Sequence, residues 1–133
     1  MLNDSKVDAN IPAGDLQRAR NLYADKLGFT PTEEFGGEVL AYRTSGGTAF
    51  TIYRTEFAGQ AGQAGHTIAQ WHVTDIVSEV SDLKEKGITF EVYDMPGVEW
   101  DGEIASMPGL GRAAWFKDSE GNTMCIDQAE RRG

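Results

Sequence analysis

The chain has 133 residues, 40% of them hydrophobic and 25% charged, enough for one domain (1–133) with a real core and unlike a disordered or fibrous protein. A formal charge of −9 argues against nucleic acid, whose phosphates need a basic patch. The single cysteine, Cys125, excludes a disulfide framework and a cysteine-built zinc site, and a polar start with no long apolar run predicts a cytoplasmic protein without leader or membrane span.

In chain order, Ile11-Pro12-Ala13 reads as the end of a first strand that meets Asp15. Leu16, Ala19, Leu22, Tyr23 and Leu27 then recur at helical spacing until Gly28. Asp15 is placed to cap that helix by accepting from a first-turn amide, and Gly28 to end it in the left-handed conformation. Leu40 to Thr48 predicts a strand and a glycine-bearing hairpin, followed by a strand over Ala49–Tyr53.

Residues 57–65 form a small-residue linker, densest from Gly59 to Gly65, after which the same pattern returns. Trp71-His72-Val73-Thr74-Asp75-Ile76 repeats Ile11-Pro12-Ala13-Gly14-Asp15-Leu16. A helix follows through Ile76, Val80 and Leu83 to Gly87. Ala114 to Asn122 then repeats Leu40 to Thr48, and Thr123–Asp127 is the last strand. The second copy is longer because it carries an insertion, 94–111, rich in Gly, Pro and Met; a loop of that length is a place for function. The fold predicted is therefore α+β, with two tandem βαβββ modules over 7–56 and 66–128.

Strand alternation sorts the faces. On one side stand Asp8, Asn10 and Pro12, then Ala49, Thr51 and Tyr53, then His66, Ile68, Gln70 and His72, then Thr123, Cys125 and Asp127. The other side, with Phe50, Ile52, Ala69, Trp71, Val73, Met124 and Ile126, is expected to lie under the helices.

The sequence resembles the vicinal-oxygen-chelate superfamily of glyoxalases, bleomycin-resistance proteins and extradiol dioxygenases. The likeness rests on Ile11 to Tyr23, on Lys26-Leu27-Gly28-Phe29, and above all on Trp115-Phe116-Lys117-Asp118-Ser119-Glu120-Gly121-Asn122. It implies a curved mixed sheet of two half-barrels around a cavity, with helices outside, and a homodimer. It also implies four metal-ligand positions in the enzymes of the family, which fall here on Asp8, Thr51, Ile68 and Cys125. Ile68 has no donor atom and a threonine hydroxyl is a poor ligand, so no metal and no cofactor are expected. His66, two residues from Ile68 on the same alternation, is the one residue a shift of register would bring in.

A cavity without its metal, walled by neutral and aromatic groups, suits a drug-sized organic ligand. The lining expected is Asn10, Tyr42, Thr51, Tyr53, His66, Ile68, Gln70, His72, Trp100, Trp115 and Cys125. Trp100 reads equally as a ring that closes on a planar ligand and as a loop anchor. The histidines read as hydrogen-bonded sheet residues or as general bases, and Cys125 reads as a small buried hydrophobe rather than a nucleophile. The function expected is metal-independent sequestration of a hydrophobic or aromatic natural product or antibiotic. The alternative is a lyase, isomerase or dioxygenase-type enzyme of the same superfamily. No membrane or nucleic-acid partner is expected.

Overall fold

The computed structural model describes residues 1–5, 7–55, 67–93 and 96–130. After a short 3-10 turn, the first half runs β1 (Ala9–Ala13), α1 (Leu16–Asp25), β2 (Glu33–Phe35), β3 (Val39–Arg43) and β4 (Ala49–Arg54). The second runs β5 (Thr67–His72), α2 (Ile76–Glu85), β6 (Phe90–Glu91), β7 (Glu99–Asp101), β8 (Ile104–Met107), β9 (Gly111–Lys117) and β10 (Thr123–Ala129). The architecture is α+β, with two helices and mixed sheets that do not close into a barrel.

Each helix begins as its sequence dictates. Asp15 accepts from the Arg18 amide at 3.0 Å and Asp75 from the Ser78 amide at 3.2 Å, each satisfying a free donor of the first turn. Gly28 and Gly87, at φ of 79° and 94°, turn the chain back toward its sheet.

The two sheets repeat one topology. In the first the order is β1-β4-β3-β2, with β1 and β4 parallel. In the second, β5 lies parallel to β10, β10 pairs with β9, and β6 pairs with the later part of β9 as β2 does with β3. The stretch read as a loop from sequence contains a hairpin, β7 and β8, turning at Gly102. Strand β8 takes the early part of β9, so the insertion extends the sheet.

Both sheets turn one face to the helices, and these faces share one core. Tyr23 from α1 packs on Tyr42 and Phe50. Trp71 reaches Phe50 of the first sheet at 6.0 Å between ring centroids and Phe116 of the second at 6.5 Å. Burying each such ring stabilises the fold by roughly 2 kcal/mol. The face of each sheet away from this core, its open face, holds the residues of interest. Tyr42 is not among them: it is 1% exposed and stacked on Phe50 at 4.7 Å. Register explains why, since Tyr42 pairs with the inward-facing Phe50 and not with Thr51.

The halves are also joined by a polar staple at the turn 118–122. Glu120, whose side chain is 1% exposed, accepts two bonds from the Arg18 guanidinium, at 2.7 and 2.9 Å, and one from the Asp15 amide at 2.9 Å. Burial pushes its carboxyl up, but Arg18, the Asp15 amide and Ser119 outweigh that and hold it at about 2. Asp118 accepts from the buried Tyr23 hydroxyl at 2.9 Å, and the Asn122 amide donates to the Pro12 carbonyl at 2.9 Å.

Candidate functional site

Apart from Tyr42 and Ile68, which face the core, and His66, which lies outside the described residues, the expected lining residues divide between two open faces that point away from the common core. On the first face, Asn10 lies beside Thr51 in register, and the Thr51 hydroxyl donates to the Asn10 side-chain oxygen. Tyr53 stands two residues on, 37% exposed. The corresponding open position on β3 is Ala41, paired with Thr51, so this face carries a small side chain where the second carries an indole.

The second face is walled. Cys125 on β10 pairs with Gln70 on one side and Trp115 on the other. Trp115 is braced from two directions: Tyr93 meets it edge-on at 5.9 Å, and Trp100, carried by the β7–β8 hairpin, lies at 6.1 Å and 53°. The Trp115 indole donates to the Thr67 hydroxyl at 3.2 Å. Next to this aromatic group is a cavity of about 320 Å³ lined by Thr67, Gln70, Met107, Arg112, Trp115, Cys125 and Asp127, among others. All of its lining residues come from the second half.

Ile68 departs from the expected alternation. Thr123 pairs with Thr67 and the next residue, Met124, pairs with Ala69. One extra residue on β5 thus forms a bulge, which re-aims the side chains around it. Thr67 takes the open face beside Trp115, while Ile68 packs against the core. Beyond the bulge, Gln70 and His72 are exposed beside Cys125 and Asp127. His66 lies outside the described residues.

The residues at the family's four ligand positions do not fit a divalent ion. Asp8 and Thr51 belong to the first half, Cys125 to the second, and Ile68 has no donor. The Cys125 thiol is 3% exposed; burial, then the charge of Asp127, pushes it up to about 12. A metal or a nucleophilic role needs the thiolate, which is suppressed here. Among the described residues, no group of three or more His, Cys, Asp or Glu is arranged to hold a metal.

Sequence reasoning missed Thr67, Tyr93, Met107 and Arg112. Tyr93 is defined by contacts across the sheet: its hydroxyl donates to Glu91 at 2.9 Å, and burial, then that bond, pushes it up to about 12. Alternation along β9 could have found Ala113 and Gly111, which share the open face with Trp115.

Repeated βαβββ halves, capped alike and open on one face, define an α+β protein of the glyoxalase type. The chain belongs to the Glyoxalase/Bleomycin resistance protein/Dioxygenase superfamily, whose family model matches residues 7–126. No curated protein matches it. Among solved structures it is similar to UcmS2, with TM-score 0.71 and 19% identity over 92% of this chain and 96% of that one. It is also similar to a bleomycin-binding protein from Streptomyces verticillus complexed with copper(II)-bleomycin, with TM-score 0.69 and 20% identity over 95% and 97%. TnmS3, an antibiotic binding protein from Streptomyces sp. CB03234, gives TM-score 0.64 and 17% identity over 95% and 96%. Among the described residues, no helix is long and apolar enough to cross a membrane.

Proposed function

We propose that this protein is a metal-independent binder that sequesters a hydrophobic or aromatic natural product or antibiotic in the cytoplasm, a resistance function that needs affinity and no chemistry. The observation that carries this reading is the second open face, where Trp115, braced by Trp100 and Tyr93, walls a cavity whose thiol is neutral. A planar ring stacked beside Trp115 gains both apolar burial and aromatic contact. Structural similarity to proteins described as antibiotic-binding and bleomycin-binding supports the same direction.

The protein acts as a homodimer in this reading. The first open face is polar and the second is walled on one side, so a second copy that brings its first face over the cavity would enclose the ligand from both sides. Sedimentation equilibrium should then return twice the chain mass of 14.5 kDa.

Titration with a panel of planar aromatic antibiotics should quench tryptophan fluorescence, and Trp115→Ala should weaken binding by about tenfold or more. The bound compound should be recovered unchanged by mass spectrometry. A chemically altered product would favour the second reading, a metal-free lyase or isomerase in which His72 acts as base, since His72 Nδ1 lies 2.7 Å from Asp127 Oδ1.

A further inference from the structure

We infer that Asp127 sets the chemical specificity of the cavity, by accepting a hydrogen bond from a neutral donor, in the first place a phenolic hydroxyl, on the aromatic ligand. This rests on the reading of the cavity as an aromatic-ligand pocket and adds which aromatic compounds it selects.

Most polar groups of the cavity are already engaged. Thr67 accepts from the Trp115 indole, the Cys125 thiol donates to the Ile126 carbonyl at 3.5 Å, and Arg112 donates to Gln128 at 3.3 Å. Gln70 is exposed and offers both donor and acceptor, so it discriminates little. Asp127 differs. Its Oδ1 is fully buried without a hydrogen bond of good geometry and lies 2.7 Å from His72 Nδ1, while the side chain as a whole is 17% exposed and lines the cavity. The part that meets the cavity is therefore Oδ2, which takes no hydrogen bond from the described residues.

A carboxylate is an acceptor, and an acceptor such as Oδ2 that a ligand shields from water without supplying a donor is costly. A ligand that supplies a donor relieves that cost and forms a charge-assisted bond; one that supplies only an ether oxygen leaves it in place. The charges of the site narrow the donor further. Asp127 and the overall charge of −9 oppose an anionic ligand, and Arg112 on the same wall offsets the pull of Asp127 on a cationic one. What remains is a neutral ring bearing a hydroxyl.

Calorimetric titration with 2-naphthol and with 2-methoxynaphthalene tests this, because the two rings match and only the donor differs. The wild type should prefer 2-naphthol by about tenfold. The ratio of the two affinities should drop to near one in Asp127→Leu and to an intermediate value in Asp127→Asn, which keeps an uncharged acceptor. A ratio is insensitive to a general weakening of the pocket, and thermal melting confirms that each variant is folded. Equal binding of both probes by the wild type, or a preference that survives Asp127→Leu, overturns the inference and leaves the aromatic pocket intact. Failure of both probes to bind overturns the inference and the pocket reading together.

Discussion

The two halves carry one unit twice, and the positions that change chemical character are those that face outward. Ala41 on the first sheet occupies the place of Trp115 on the second, Thr51 that of Cys125, and Tyr53 that of Asp127. The core-facing partners stay buried and mostly apolar in both, with Tyr42 matching Phe116, Phe50 matching Met124 and Leu40 matching Ala114. Packing holds the inner face of a repeat to type, whereas the outer face is free to vary. The two turns differ as well: 44–48 is largely exposed, while Asp118, Glu120 and Asn122 are buried. The aromatic-walled cavity lies in the second half, and its buried turn 118–122 receives Asp15, Arg18 and Tyr23 of the first to hold the halves together.

Glycine substitutions break this comparison with the largest expected effect. A Cβ on Gly111 would stand 2.2 Å from the Gln128 carbonyl oxygen and 2.8 Å from the Glu130 nitrogen, at a φ of +127°. Backbone on both counts cannot give way without parting β9 from β10. Gly47 in the first turn has φ +90° and nothing within 4 Å of the same atom. Gly111→Ala should cost about 3 kcal/mol or more in urea unfolding, and Gly47→Ala about 1 kcal/mol, from the left-handed backbone alone. Equal losses would mean that the β9–β10 approach is not the tight joint described.

Acid sharpens the contrast between the turns. The Glu120 carboxyl is held at about 2 in the folded chain, below its ordinary 4.5. A depressed carboxylate contributes stability that is fully present above 4.5 and is lost as pH falls through 2. That contribution is worth about 2 kcal/mol after allowing for screening of the exposed Arg18 partner. Burial holds Asp118 in the opposite direction, above its ordinary value, so the comparison is made between wild type and Glu120→Gln. Their difference in stability should be largest near neutral pH and shrink between pH 4.5 and 2. Thr44→Ala, in the exposed turn, should change stability by less than about 0.5 kcal/mol at any pH.

Much of the fold was legible because its signals are local. The Asp15 and Asp75 caps, the glycine stops and the hairpin turns depend on a few adjacent residues, and the repetition of all three revealed the paired units. Alternation also placed Asn10, Thr51, Gln70 and Cys125 on the open faces. It failed where an extra residue entered β5: the bulge turned Ile68 to the core and Thr67 outward, while Gln70 and His72 beyond it kept the expected face. Such a bulge depends on the partner strand. Tyr93 was invisible for a related reason, because only the sheet brings it to Trp115. Trp100 was singled out as a ring without a core duty, but not as a residue of a strand: a three-residue strand such as β7 is too short to show periodicity.

Tyr42 offers the smallest effect and the most direct comparison, because the second half has already made the substitution: its counterpart is Phe116. The Tyr42 hydroxyl is buried with no hydrogen-bond partner among the described residues. Burial also pushes it above its ordinary value, against the pull of Arg20. Most of the ring's contribution comes from stacking on Phe50, which Tyr42→Phe keeps. Removing the hydroxyl abolishes its desolvation cost and leaves no acceptor stranded, since none is engaged. Tyr42→Phe should therefore raise stability by about 1 kcal/mol, a few degrees in Tm for a domain of this size. Affinity for 2-naphthol should stay at the wild-type value, because Tyr42 lies on the inward face. A loss of stability would reveal a partner for the hydroxyl, and a change in affinity at unchanged stability would return Tyr42 to the pocket.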